Sequence, residues 1–144
     1  MHVGHAAMME IRRLDPAEWE SFRGWYRARG DDLPPSDMAP LQSGYVAADE
    51  RGPVGVGFLI LTNSKMALME FMQTDHNRSE IDQARALTRL AHFIEDTAQK
   101  LGFRVILGFV PEDHDTLARF YFRQGAVRAK KLMRLFYKGL RGED

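Results

Sequence analysis

The sequence predicts a mixed α/β domain, of the α+β kind, with a central sheet flanked by helices. Three features carry that prediction: strand-like segments between residues 44 and 73 separated by turn residues, a long amphipathic helix over residues 79–101, and the apolar run FRVILGFV directly after it. Neighbouring strands joined by tight turns pair antiparallel, whereas a strand reached through a long helix returns parallel to the one before it. The expected sheet is therefore mixed, with a splay between residues 68–73 and residues 103–110.

Taken in order, residues 9–14 read as a first strand. Asp15-Pro16-Ala17-Glu18 then starts a helix: Asp caps free backbone N–H groups, Pro suits the first helical position, and Glu closes a capping box. Trp19, Phe22 and Tyr26 fall on one face of this helix and are assigned to the core, and Gly30-Asp31-Asp32 with Pro34-Pro35 ends it. Residues 44–48 and 54–62 form a hairpin around Asp49-Glu50-Arg51-Gly52, and Asn63-Ser64 turns the chain into a third strand over residues 65–73. Ser79 caps the long helix, whose buried stripe is predicted as Ile81, Ala84, Leu87, Ala91, Ile94, Ala98 and Leu101. Gly102 stops it, and residues 103–110 are expected to be a strand buried on both faces. A further helix runs from Asp113 or Asp115 through Arg123, with Leu117, Phe120 and Tyr121 on one side. Gly125 breaks it, and residues 126–137 close the sheet.

With 144 residues, 44% of them hydrophobic, the chain suffices for one core. Residues 1–8 read as a flexible tail and residues 9–144 as a single domain. No apolar run is long enough for a membrane span and the N-terminal stretch lacks the apolar segment of a secretory signal, so a cytoplasmic protein without a membrane partner is expected. The absence of cysteine excludes disulfides, thiol nucleophiles and thiolate metal sites. The histidines show no ligand spacing, and no metal is expected. Twenty basic residues balance 20 acidic ones, which speaks against a nucleic-acid-coating protein, although the basic residues from Arg119 to Arg141 make the C-terminal end cationic.

The order of elements from Met9 to Leu140, together with LGFRVILGFV followed by LARFYFRQGA, resembles the GNAT acyl-CoA N-acyltransferase superfamily. Tyr121 and Gly125 stand where that family has a tyrosine four residues before a glycine. His114 replaces the family's usual Asn, and Ala126 its Phe. The family's Gln/Arg-x-x-Gly-x-Gly/Ala loop falls at residues 82–87, which here read DQARAL and hold no glycine. Glycine lets the backbone at a helix N-terminus approach a pyrophosphate closely. Here Glu80 and Asp82 put negative charge where that anion would lie, opposing it by about 1 kcal/mol. Short phage-encoded GNAT-like proteins resemble this chain in their glycine-poor loop.

The resemblance implies an acyl-CoA-dependent N-acyltransferase that takes acetyl-CoA or another acyl-CoA as co-substrate and an amine of a small molecule or protein as acceptor. A homodimer is compatible with it. It places the pyrophosphate at the backbone of residues 77–83, with Asn77, Arg78, Ser79, Gln83, Arg85 and His114 as the cofactor-binding set. Tyr121 is the candidate acid for the departing thiolate, by motif position. Glu70, a carboxylate among Leu68, Met69, Phe71 and Met72, is the candidate base for the amine. The alternative function is a GNAT-fold module that has lost catalysis and serves in binding or assembly.

Overall fold

The computed structural model describes residues 8–30, 41–108, 119–121, 123 and 125. The chain divides into two units, Met1–Phe109 and Val110–Asp144. The first holds a five-stranded sheet whose spatial order is that of the sequence: β1 (Glu10–Arg13), β2 (Gly44–Asp49), β3 (Gly52–Ile60), β4 (Met66–Thr74) and β5 (Val105–Leu107). The pairs β1–β2, β2–β3 and β3–β4 are antiparallel, and β4–β5 is parallel. This is the mixed sheet anticipated from the sequence, antiparallel where turns connect strands and parallel across the long helix.

The entry to the first helix is built as its residues dictate. The Asp15 carboxylate accepts from the Ala17 N–H at 3.0 Å, and the Glu18 carboxylate accepts from the Asp15 N–H at 3.1 Å. One 3-10 turn, Pro16–Glu18, then leads into α1 (Trp19–Ala28). Trp19, Phe22 and Tyr26 are buried against Leu14, Val46, Val56 and Phe58 on one face of the sheet. Trp19 meets Phe58 edge-on, with ring centroids 5.5 Å apart. Each such buried aromatic contributes about 2 kcal/mol from apolar burial, and edge-on ring contacts add to it.

The opposite face receives α2 (Glu80–Lys100), capped by Ser79, whose Oγ accepts from the Asp82 N–H at 3.1 Å. On β3, valine and glycine alternate, so Val56 faces α1 while Gly55 and Gly57 face α2. A Cβ on Gly55 would lie 3.0 Å from Ala86 Cβ, and one on Gly57 would lie 2.2 Å from Met72 Sδ. The missing side chains let the helix settle close to the strand.

The buried stripe of α2 is Ala86, Leu90, Ala91, Ile94 and Ala98, which corrects the predicted one at its ends and at Leu87, which is half-buried while Ala86 and Leu90 are buried beside it. Ile81 is 64% and Leu101 57% exposed, and Ala84 is exposed as well. Ile81 precedes Ile94 by thirteen residues, which at about 100° per residue rotates it roughly 140° away from the sheet. Leu101 is the C-cap, past the last helical residue. The expected two-sided burial of the last strand is also corrected over Val105–Leu107, where Val105 is 47% and Leu107 39% exposed. Among the described residues β5 pairs on one edge only, with β4. Residues 109 and 110 lie outside the described residues.

In the second unit Arg119, Phe120, Tyr121 and Arg123 are helical, and the Phe120 and Tyr121 rings lie 5.6 Å apart. Gly125 follows with φ +91°, as a glycine that breaks a helix should. The tail residues 1–7, His114, Leu117 and the predicted closing segment 126–137 lie outside the described residues.

Candidate functional site

The parallel pairing of β4 with β5 spans Met66↔Val105, Ala67↔Ile106 and Leu68↔Leu107. Beyond Leu68, β4 runs on to Thr74, and among the described residues that edge has no further partner on β5. The other edge of β4 is irregular at the same level. Its register with β3 jumps from Val56↔Gln73 to Phe58↔Glu70, leaving Phe71 and Met72 in a bulge beside Gly57. Phe71 has φ +55°, a left-handed conformation that a bulky residue adopts only when its surroundings impose it. The Tyr26 hydroxyl, coming from α1, donates to the Phe71 carbonyl at 2.5 Å. The Phe71 ring packs edge-on to Phe58, with centroids 5.8 Å apart.

Glu70 stands at this bulge. Residues directly opposite in a ladder share a face, so its pairing with Phe58 sets it on the α1 side of the sheet, half-buried. The sequence-predicted base therefore lies next to the one strained peptide among the described non-glycine residues.

At the end of β4 the chain turns into α2 through residues 75–78. The Asp75 carboxylate accepts from the Asn77 N–H at 2.9 Å, and the Asp75 carbonyl accepts from the Arg78 N–H at 3.1 Å. Gln83 then ties the first helical turn to the strand: its Oε1 accepts from Thr74 Oγ1 and Arg29 Nη2, both at 2.7 Å, and its Nε2 donates to the Arg78 carbonyl at 2.8 Å.

The Arg78 side chain turns back across the β2–β3 hairpin and grips Asp49 with both guanidinium nitrogens, at 2.7 and 2.8 Å. It also donates to the Gly52 carbonyl at 3.2 Å and to Asp82 at 3.4 Å. Both residues are half-buried, and their paired side chains are 9% and 5% exposed. Hydrogen bonding from Arg78 lowers the Asp49 pKa to about 2, aided by the Arg51 N–H and opposed by burial. The same contact raises the pKa of Arg78. Arg51 reaches Asp82 at 3.0 Å, so two cations and two carboxylates neutralise one another at the N-terminus of α2.

The structure thus brings Asn77, Arg78, Ser79 and Gln83 together in one turn and helix start. Arg85 is exposed further along α2, and Glu70 is set apart at the bulge. Tyr121 is half-buried in the second unit. Sequence reasoning assigned Tyr26 to the core only and did not single out Phe71, Asp49 or Arg29. No residue pattern marks the bulge, because Phe71 is an ordinary strand residue by composition. The Asp49–Arg78 pair joins residues far apart in sequence. Among the described residues no group of His, Cys, Asp and Glu could hold a metal ion, and no helix is long and apolar enough to cross a membrane.

The sequence matches no protein-family model and no curated protein. The structure is similar to that of a GNAT-family acetyltransferase from Staphylococcus aureus Mu50, with TM-score 0.69 and 14% identity, covering 91% of this chain and 93% of that one. It is similar to Ard1 from Thermoplasma volcanium, with TM-score 0.70 and 16% identity, covering 84% of each chain. It is also similar to the aminoglycoside N-acetyltransferase AAC(6′)-Iy in complex with CoA, with TM-score 0.66 and 14% identity, covering 93% of this chain and 96% of that one. This chain has the GNAT fold.

Proposed function

We propose that this chain is an acyl-CoA-dependent N-acyltransferase whose donor lies along β4 near its bulge at Phe71. The observation that supports the reading most is the Phe71 bulge of β4, the strand that pairs parallel with β5, in a fold shared with acetyltransferases of which one holds CoA. In this reading an acceptor amine, relieved of its proton by Glu70, attacks the thioester carbonyl. The new N–C bond forms as the C–S bond breaks, and Tyr121 protonates the departing thiolate. Because the thioester is already activated, most of the acceleration comes from holding the two reactants together.

The pyrophosphate belongs, in the same reading, at the backbone of Asn77, Ser79 and the first turn of α2, with Arg85 and His114 contributing. Arg78 contributes less than its charge suggests, because Asp49 holds both of its nitrogens. Donor affinity is therefore expected to be weaker than in an enzyme with a glycine loop. Calorimetric titration with acetyl-CoA tests this directly: heat release and a raised Tm are expected. No heat and an unchanged Tm at about millimolar acetyl-CoA would refute the reading.

The mutual neutralisation at α2 favours a second reading, a GNAT-fold module without catalysis that serves in binding or assembly. The same titration separates the two, since only the first requires the donor to bind. The acyl group and the acceptor amine are questions for a substrate screen with the wild-type chain.

A further inference from the structure

Arg29 is the C-cap of α1, its N–H held by the Tyr26 carbonyl at 3.0 Å, and the residue is exposed. Its side chain is nonetheless fixed, by a partner 54 residues away in sequence. Nη2 donates to Gln83 Oε1 at 2.7 Å and to Thr74 Oγ1 at 3.3 Å, and Thr74 Oγ1 donates to the same Gln83 oxygen at 2.7 Å. The other end of the Gln83 amide, Nε2, donates to the Arg78 carbonyl at 2.8 Å. Because α1 and α2 cover opposite faces of the sheet, these bonds pass round the end of β4, whose last residue is the buried Thr74. They join the end of α1 to the turn 75–78 and the first turn of α2.

The contact adds little stability by itself, because ordering an exposed arginine costs side-chain entropy about as large as one such hydrogen bond returns. What it fixes is an orientation. With Oε1 held by Arg29 and Thr74, the Gln83 amide turns its NH2 group to the Arg78 carbonyl. In a trans peptide the C=O and the following N–H point in opposite directions, so holding the Arg78 carbonyl sets the direction of the Ser79 N–H. Thr74 alone would leave the Gln83 oxygen one bond about which the amide can turn.

We propose that Arg29 is a positioning residue of the donor site: acting through Gln83, it fixes the Arg78–Ser79 peptide so that the Ser79 N–H meets the pyrophosphate of the acyl-CoA. This rests on the reading of the α2 start as the place of that pyrophosphate. A backbone donor already set in place binds an anion without the entropy loss of ordering it at that moment. Residues 75–87 hold no glycine, and side chains of α1, β4 and β2 meet in fixing this turn.

The test is a double-mutant cycle between Arg29→Met and Gln83→Ala. It is read by calorimetric titration with acetyl-CoA and with CoA, at a temperature where every variant is folded, and by hydrogen exchange of residues 75–83. Arg29→Met is expected to weaken both compounds by the same factor, about fivefold, since they share the pyrophosphate. Exchange over residues 75–83 should quicken about threefold or more, with Tm almost unchanged because Arg29 is exposed. In the Gln83→Ala background the same substitution should change neither readout, because the group it acts through is gone. Unchanged donor affinity in Arg29→Met overturns the proposal, whatever happens to Tm. Equal losses in both backgrounds overturn it as well, and assign Arg29 a direct contact with the donor through its charge. Failure of the wild-type chain to bind either compound removes the donor-site reading itself, and this role of Arg29 with it.

Discussion

Half-buried Asp49 keeps its charge because Arg78 supplies two hydrogen bonds to it, and this makes stability depend on pH in a definite direction. Its pKa is lowered from 3.8 to about 2 in the folded chain. The stabilisation it provides is complete above the unfolded value and is lost as pH falls through about 2. Asp49→Asn should therefore be less stable than wild type at neutral pH, with the difference shrinking below about pH 4, as measured by urea titration across that range. Removing the other partner is more severe: Arg78→Met leaves the half-buried Asp49 carboxylate with the Arg51 N–H but without its cation, and should cost about 2 kcal/mol. Tyr121 and Glu70 are tested at the same scale, given measurable acyl transfer. Tyr121→Phe should slow turnover at least about tenfold with Tm and donor affinity almost unchanged, and Glu70→Gln should slow it by about 10² or more. Normal turnover in either variant would remove that residue from the proposed roles.

Among the elements, β3 packs on α2 through Gly55 and on the Met72 side chain of β4 through Gly57. Gly57 faces Met72 so closely that an added Cβ would fall 2.2 Å from its sulfur, so Gly57→Ala must displace a buried side chain or the helix. A cost of about 1–3 kcal/mol is expected, seen as a lower Tm. Gly24, in α1, gives the opposite expectation. Nothing lies within 4 Å of a Cβ built there, and its backbone is helical. Gly24→Ala should raise stability by about 0.5–1 kcal/mol, through helix propensity and a less disordered unfolded chain. An unchanged or raised Tm for Gly57→Ala would mean that contact with Met72 does not decide the cost at Gly57.

For the whole molecule, a donor that binds the folded chain and not the unfolded one must raise Tm by mass action. At acetyl-CoA about tenfold above Kd the gain is about 1.4 kcal/mol, a shift of a few degrees for a chain of this size. If Arg78 is largely withdrawn from anion binding, Arg78→Met should weaken acetyl-CoA far less than Arg85→Met does, measured at a temperature where both variants are folded. The reverse order would mean that Arg78 leaves Asp49 when the donor binds.

Periodicity and punctuation in the sequence determined the elements and their order. Asp15 and Glu18 build the predicted capping box, Trp19, Phe22 and Tyr26 the predicted buried face, and Ser79 the predicted cap, because these effects act over a few residues and are written in local residue types. The mixed sheet followed from connection lengths alone. What lay beyond local pattern was decided by tertiary contact. Ala86 and Leu90 of α2 lie over Gly55 of β3, and Ile81 is left in solvent. The carbonyl of the left-handed Phe71 meets a hydroxyl 45 residues away in sequence, and Arg78 is held by a carboxylate 29 residues away. Each of these joins residues whose spacing along the chain carries no signal, since only folding brings the partners within the few ångströms over which packing and hydrogen bonds act.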